Sequence, residues 1–435
     1  MKNHLILLLT LVCSLSLEAQ QRPNIIYIFA DDLGYGDLGC YGQQKIETPN
    51  IDALAHEGML FTQHYVMPVC APSRYSLMTG LNSGHAYIRG NDEWGERGNV
   101  WNFEAMEANP ALEGQLPIPD STITVAKVLK ANGYKTALVG KWGLGAPMTA
   151  GIPNNQGFDY FFGYLCQRED HQYYPAHLWQ NTFRVPLNNK VQDPNIKFPP
   201  NLNADDPTNY SAYSQKDYAP DFMIKAALRF LDSCRHRPFF LYYASPLPHA
   251  SMQAPANLVA YYHKKFGDER PFLGGSYVPC RYPRATRAAM ITLLDEQVGT
   301  IIKKLKQLGI YKNTIIIFSS DNGSSNEGGA DCKWFDSNGP FKNEYGWGKG
   351  FLYEGGIRAP LIAAWPGKIR PGQKSDLITA NWDFMPTACQ LAHARIPANI
   401  DGISYLPALL GDGRRQVKHS FLYWEFLWNR GSRTE

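Results

Sequence analysis

Basic runs, paired cysteine motifs and repeated modules are all missing from this sequence. Lysine and arginine outnumber aspartate and glutamate by only three, 42 against 39, and no cluster of one sign stands out. Binding to nucleic acid or to a charged membrane surface therefore has little electrostatic support. No C-x-x-C pair occurs, which argues against a structural zinc site. The absence of repeats and low-complexity tracts excludes solenoids and long disordered linkers. Long apolar runs are scarce too. The one exception, residues 5–17, follows Lys2 and precedes Leu17-Glu18-Ala19. It is too short to span a bilayer comfortably and reads as a signal peptide over residues 1–19. Cys13 suggests a lipoprotein, but Thr10-Leu11-Val12 lacks the small residues that such a cleavage site needs. Plain export, periplasmic or secreted and without stable membrane insertion, is the expectation.

What is present suits one large domain or a large and a small one, since 435 residues at 44% hydrophobic supply ample core. Beyond the leader stand Cys40, Cys70, Cys166, Cys234, Cys280, Cys332 and Cys389. An odd number in an exported protein leaves at least one thiol outside any disulfide and in need of another task.

Residues 24–29 (NIIYIF) form an apolar run that ends in Asp31-Asp32 and predicts a buried strand. Similar runs occur at 134–139, before Gly140-Lys141; at 238–245, before Pro248-His249; and at 314–318, before Ser319-Ser320-Asp321-Asn322-Gly323. A fifth lies at 360–365. Helical spacing appears at 50–58, at 121–133 and, longest, at 284–309, where Met290, Leu293, Leu294, Val298, Ile301, Ile302 and Leu305 share one face. Strands alternating with helices predict an α/β fold, a mostly parallel central sheet sandwiched by helices. Ligands of such sheets bind beyond the carboxyl ends of the strands, where these polar clusters fall. Residues 89–119 read as a substrate-facing loop.

Five motifs carry more than a fold. They are RPNIIYIFADDLGYGDLGCYG from Arg22, CAPSRYSLMTG from Cys70, GYKTALVGKWGLG from Gly133, SSDNG from Ser319 and GKGFLYEGGIRAP from Gly348. With these motifs in this order the chain resembles the type I, formylglycine-dependent sulfatases of the arylsulfatase kind, within the alkaline phosphatase superfamily. The resemblance runs from Arg22 to about Phe426. It implies a sulfuric ester hydrolase in which Cys70 is oxidised to formylglycine by a maturation enzyme of the host. A hydroxyl of the hydrated aldehyde then attacks sulfur, which gives the odd cysteine its task. Arg74 would hold that group. Asp31, Asp32, Asp321 and Asn322, with residue 70, would cage a calcium ion, or magnesium, since they offer only hard oxygen donors. Lys141 and Lys349 match lysines that grip the sulfate. His249 matches a histidine at the leaving group, suited to act as general acid.

The sequence departs from that family twice. A histidine is usual two residues after the motif lysine, where this chain has Gly143; His171 is the candidate to supply the missing proton transfer. It would enter the gap that Gly143 leaves beside Lys141, with the Asp170 carboxylate turned to its ring to raise its basicity. A substrate contact is its other reading. Residues 421–426 (FLYWEF) resemble the opening strand of the family's small antiparallel C-terminal subdomain. The expected division is a catalytic domain over 22–415 and a truncated start of that subdomain over 416–435. Tyr173, Tyr174, Trp179 and Trp94 are expected near the site and favour a sulfated carbohydrate as substrate. A phosphomonoester or phosphonate-ester hydrolase, or a non-catalytic binder of sulfated glycans, is the alternative.

Overall fold

The structure, a computed structural model, describes residues 22–426; the expected signal peptide, residues 1–19, and Cys13 lie outside them. Twelve strands occur among the described residues. They are β1 (Asn24–Ala30), β2 (Met59–Phe61), β3 (His64–Tyr65), β4 (Lys135–Lys141), β5 (Tyr160–Tyr164), β6 (His177–Gln180), β7 (Phe183–Pro186), β8 (Phe239–Ala244), β9 (Thr314–Ser320), β10 (Leu361–Ala364), β11 (Gln373–Ser375) and β12 (Thr379–Ala380). Ten of them form one sheet in the order β11-β2-β10-β9-β1-β8-β4-β5-β6-β7, while β3 and β12 pair separately.

The five central strands, β9 to β5 in that order, are parallel. β1 sits in the middle and is fully buried. Its successive side chains point to opposite faces, because a strand alternates with period two. Ile26 and Ile28 join one apolar layer, under the helices Ala219–Cys234 and Pro283–Gln307. Ile25, Tyr27 and Phe29 join the other, under Cys70–Thr79, Val125–Ala131 and Phe384–Leu391. That two-sided burial is why β1 reads as an unbroken apolar run. The fifth expected strand is β10, but it runs antiparallel to β9, and β6 and β7 are antiparallel as well. The sheet is thus parallel at its centre and mixed at both edges.

Because the central strands are parallel, their carboxyl ends share one edge. β1 leads into Asp31-Asp32, β4 ends at Lys141, β8 leads towards His249 and β9 into Asp321-Asn322. Gly140 lets β4 approach β8: its φ is +117° and a Cβ there would stand 1.8 Å from the Ala244 carbonyl oxygen. The helix predicted from Ser121 starts four residues later, since Thr124 caps it by accepting from Lys127 N at 3.1 Å.

Residues 421–426, expected as a strand, form none. They lie along the main body of the fold, with Trp424 Nε1 donating to the Val66 carbonyl at 2.9 Å and its ring 5.8 Å from that of Trp382. All seven cysteines among the described residues are unpaired. The parity argument for a single spare thiol therefore falls, and Cys70 must be singled out by its surroundings.

Candidate active site

Cys70 opens a ten-residue helix whose side chains are all buried and which stops at Gly80, at φ +77°. Its Sγ donates to Asp31 Oδ1 at 3.4 Å. One turn on, Arg74 reaches back over the same carboxylates. Its Nη2 lies 2.9 Å from Asp31 Oδ2 and 3.1 Å from Asp321 Oδ2, and its Nη1 donates to the Lys141 carbonyl at 2.8 Å. The four-residue spacing puts both side chains on one face of the helix. Lys141 Nζ adds 2.6 Å to Asp31 Oδ2 and 2.9 Å to Asp170 Oδ2. Lys349 Nζ sits 2.9 Å from Asp32 Oδ2 and 3.5 Å from Glu327 Oε2. His249 Nε2 is 3.7 Å from Asp32 Oδ2. The structure thus brings Cys70, Arg74, Lys141, His249 and Lys349 together with Asp31, Asp32, Asp321 and Asn322, from four strand ends, one helix and one loop.

Burial makes every charge here depend on its partner. Burial alone would raise the Asp31 pKa, but Lys141, His249 and Arg74 outweigh it and hold the carboxyl well below the ordinary range. Burial and then Asp31 push the Cys70 thiol well up, so it stays protonated. Burial and then Asp31 raise Asp321, and burial raises Asp170 against the pull of Lys141. His249 is driven down to about 3 by burial and then by Lys141 and Lys349. It is therefore neutral, and its Nδ1 donates to the Ala250 carbonyl at 2.5 Å.

The donor set fits a hard divalent cation. The ligand atoms of Asp31, Asp32, Cys70 and His249 lie within 4.8 Å of one another. Asn322 Oδ1 is buried with no hydrogen-bond partner, an amide oxygen left for something the protein does not supply. The Asp32 backbone is held for this task at φ +62°, with its carbonyl accepting from buried Arg287 at 3.1 Å.

Three expectations need correction. The first concerns Gly143, at φ +73°: the space beside it is taken by Gln167, whose Cγ stands 2.8 Å from where a Cβ would be. The second concerns the help His171 was to receive from Asp170, which turns to Lys141 instead. The His171 ring packs against Tyr277 at 5.0 Å, His249 at 5.5 Å and Trp101 at 5.7 Å, and burial, then His249 and Lys141, hold it neutral. The third concerns the aromatics: Tyr173, Tyr174 and Trp179 are buried in the core, and Trp94 stacks on Arg97 at 4.6 Å. The cavity over Cys70, about 780 Å³, is lined instead by Trp101, Tyr277, Tyr345, Phe351 and Phe426. Residues 90–93 also line it, as expected of the 89–119 loop. Gln167, Asp170, Tyr277 and Glu327 escaped sequence reasoning because they sit in loops with no motif; only the adjacency of Asp170 to His171 hinted at one of them.

Comparison with known proteins points to one family. The family model described as Sulfatase matches residues 23–394. The chain is 35% identical to human arylsulfatase A over 426 residues, covering 95% of this chain and 73% of that protein. It is 34% identical to mouse N-acetylgalactosamine-6-sulfatase over 447 residues, covering 97% and 72%. Among solved structures, Ps i-CgsB in complex with k-i-k-neocarrahexaose superposes with a TM-score of 0.68 at 29% identity, covering 90% of this chain and 77% of that one.

Proposed function

Since the chain belongs to the sulfatase family of sulfuric ester hydrolases, we propose that it removes sulfate from sulfated carbohydrates, with residue 70 as nucleophile beside a hard divalent cation. The observation that carries this is the meeting of Cys70, Arg74 and Lys141 on the one carboxylate of Asp31, under the open cavity. Sugar appears in the names of two similar proteins, an N-acetylgalactosamine-6-sulfatase and a complex with neocarrahexaose. The five cavity aromatics give this chain faces for sugar rings to stack on.

Asp31, Asp32, Asp321 and the Asn322 amide oxygen would hold calcium, or magnesium, which when bound polarises a sulfate oxygen. Formylglycine at position 70, made from Cys70 by a maturation enzyme, supplies a hydroxyl nucleophile on hydration. Arg74 binds the carboxylates of Asp31 and Asp321 through Nη2 and the Lys141 carbonyl through Nη1, a fork that no lysine would match. Lys141 and Lys349 present ammonium groups to a sulfate anion; against burial, Asp170 and Asp31 keep Lys141 charged, and Asp32 foremost keeps Lys349 charged. His249 donates through Nδ1 to Ala250, so Nε2 is the atom turned to other chemistry. A bound sulfate would offset the charge of Lys141 and Lys349 and raise the basicity of Nε2, which can then carry a proton to the leaving oxygen. His171, walled by Tyr277 and Trp101, serves as a contact for the carbohydrate.

Export of the chain after removal of residues 1–19 belongs to the same reading, as does a catalytic unit over 22–415 followed by a separate segment. Among the described residues no helix is long and apolar enough to cross a membrane. The test is turnover, with calcium present, of a panel of sulfated mono- and oligosaccharides against their phosphate analogues. Faster turnover of the phosphates would make the chain a phosphomonoester or phosphonate-ester hydrolase. Binding of the sulfated sugars without release of sulfate would make it a glycan-binding relative.

A further inference from the structure

A second buried group of metal-binding side chains lies beyond the catalytic cluster, where the edge hairpin β6-β7 meets the turn Gln167–His171. His177, on β6, points Nε2 at Glu113 Oε1, 3.3 Å away, and at Glu169 Oε1, 3.5 Å away. Ligand atoms of all three residues fall within 4.8 Å of one another. The side chains of Glu113, His177 and Glu169 are 0%, 6% and 7% exposed. We propose that His177, Glu113 and Glu169 form a second cation site, for a divalent ion of the zinc or manganese class.

Two buried atoms point to a ligand that the protein does not provide. His177 Nε2 has no hydrogen-bond partner although it faces two carboxylates, and Glu169 Oε2 has none either. The other ring nitrogen is already engaged, with Nδ1 2.6 Å from Glu107 Oε2. A carboxylate behind one imidazole nitrogen, with the other nitrogen free, is the arrangement that orients a metal-binding histidine. Around Glu113 the surroundings neutralise charge: Arg184 Nη2 and Nε lie 2.5 Å and 3.2 Å from Oε1, and Trp179 Nε1 donates to Oε2 at 3.0 Å. Glu107, Glu113 and Glu169 against Arg184 leave two negative charges, which one divalent cation balances.

Two protons would balance them as well, and they are the competitor. Burial alone would lower the His177 pKa, but Glu169, Glu107 and Glu113 bring it up to about 10. Burial and then Glu113 push Glu169 well above its ordinary range. A cation must displace these protons. Imidazole with two carboxylates selects a borderline ion over calcium. This separates the site from the oxygen-only cage at Asp31. Glu169 directly precedes Asp170, the partner of Lys141, so the ion would clamp the turn that also presents Gln167 and His171 to the cavity.

The test uses the full chain with zinc as probe and calcium in excess to occupy the oxygen cage. Crystals soaked in zinc should show an anomalous peak at the zinc edge between His177 Nε2, Glu113 and Glu169; bare density there overturns the proposal and needs no variant. In solution, elemental analysis after gel filtration should find one zinc more per wild-type chain than per His177→Gln or Glu169→Gln chain. Each change should weaken zinc at least ~100-fold, and Glu107→Gln ~10-fold to 100-fold. Equal zinc in wild type and in whichever ligand variant folds also overturns it. Neither readout depends on sulfate release, so failure here leaves the catalytic reading untouched.

Discussion

Gln167 fills the space over Gly143: a Cβ on that glycine would come within 2.8 Å of Gln167 Cγ and 3.7 Å of Arg74 Cδ. The position at which the family resemblance leads one to expect a histidine is thus closed here by a side chain from the turn Gln167–His171.

Gly143→His should therefore damage the enzyme. A left-handed backbone is strained for any side chain with a Cβ, by roughly 1 kcal/mol, and overpacking adds about 1–3 kcal/mol. Urea denaturation should show that combined loss, and kcat should fall as Arg74 is pushed. The double variant Gly143→His with Gln167→Gly should recover part of both. A single variant as stable and active as the parent would show that Gln167 yields freely.

Cys70→Ala should abolish turnover, to below about a thousandth of the parent rate, with little change in the thermal midpoint. Mass spectrometry of the peptide containing Arg74, from active protein, should find formylglycine at residue 70. An active preparation carrying only thiol there would overturn the nucleophile.

Chelation should remove activity, and added calcium or magnesium should restore it. Asn322→Leu should raise the cation concentration needed for half-maximal rate by ~10-fold or more, since it deletes the one amide oxygen among the ligands. Full activity in chelator, with no metal by elemental analysis, would exclude the cation.

His171→Ala should raise KM for a sulfated oligosaccharide about 10-fold while leaving kcat within a factor of about two, as expected of a contact made equally before and during reaction. A lost kcat with unchanged KM would make His171 a proton-transfer group instead.

Stability should fall in mild acid through His64. Burial drives its pKa down to about 3, so the folded chain refuses a proton that the unfolded chain takes up below about pH 6.5. Each pH unit between those values removes up to about 1.4 kcal/mol from this residue. The free energy of unfolding, followed by denaturant between pH 7 and 5, should have a shallower slope in His64→Gln. Identical slopes would place the acid sensitivity elsewhere.

The central sheet was legible because burial on two faces writes β1, β4, β8 and β9 as apolar runs, and parallel pairing puts their polar ends on one edge. Direction was not legible for β10, since an apolar strand looks alike in either sense. The grouping of Asp31, Asp32, Asp321 and Asn322 with Cys70, Arg74, Lys141, His249 and Lys349 followed from motifs. Partners such as Asp170, Glu327 and Gln167 did not, because a loop position acquires its role only when the fold closes. The aromatics misled for a related reason: Tyr173 and Trp179 carry the same rings as Trp101 and Tyr345, and sequence does not say which rings the core consumes.

The unpaired thiols have a practical consequence. With no disulfide among the described residues, a reducing buffer has no cross-link to cut, so dithiothreitol should leave the unfolding midpoint where it was. Production in a reducing host compartment becomes a sound choice, and purification can keep reductant throughout. Alkylating reagents then become a probe of shape: Cys40 is the only half-exposed thiol among the seven. It should label first in the native protein, and the buried thiols only as the fold opens, with residue 70 not labelling wherever it has become formylglycine.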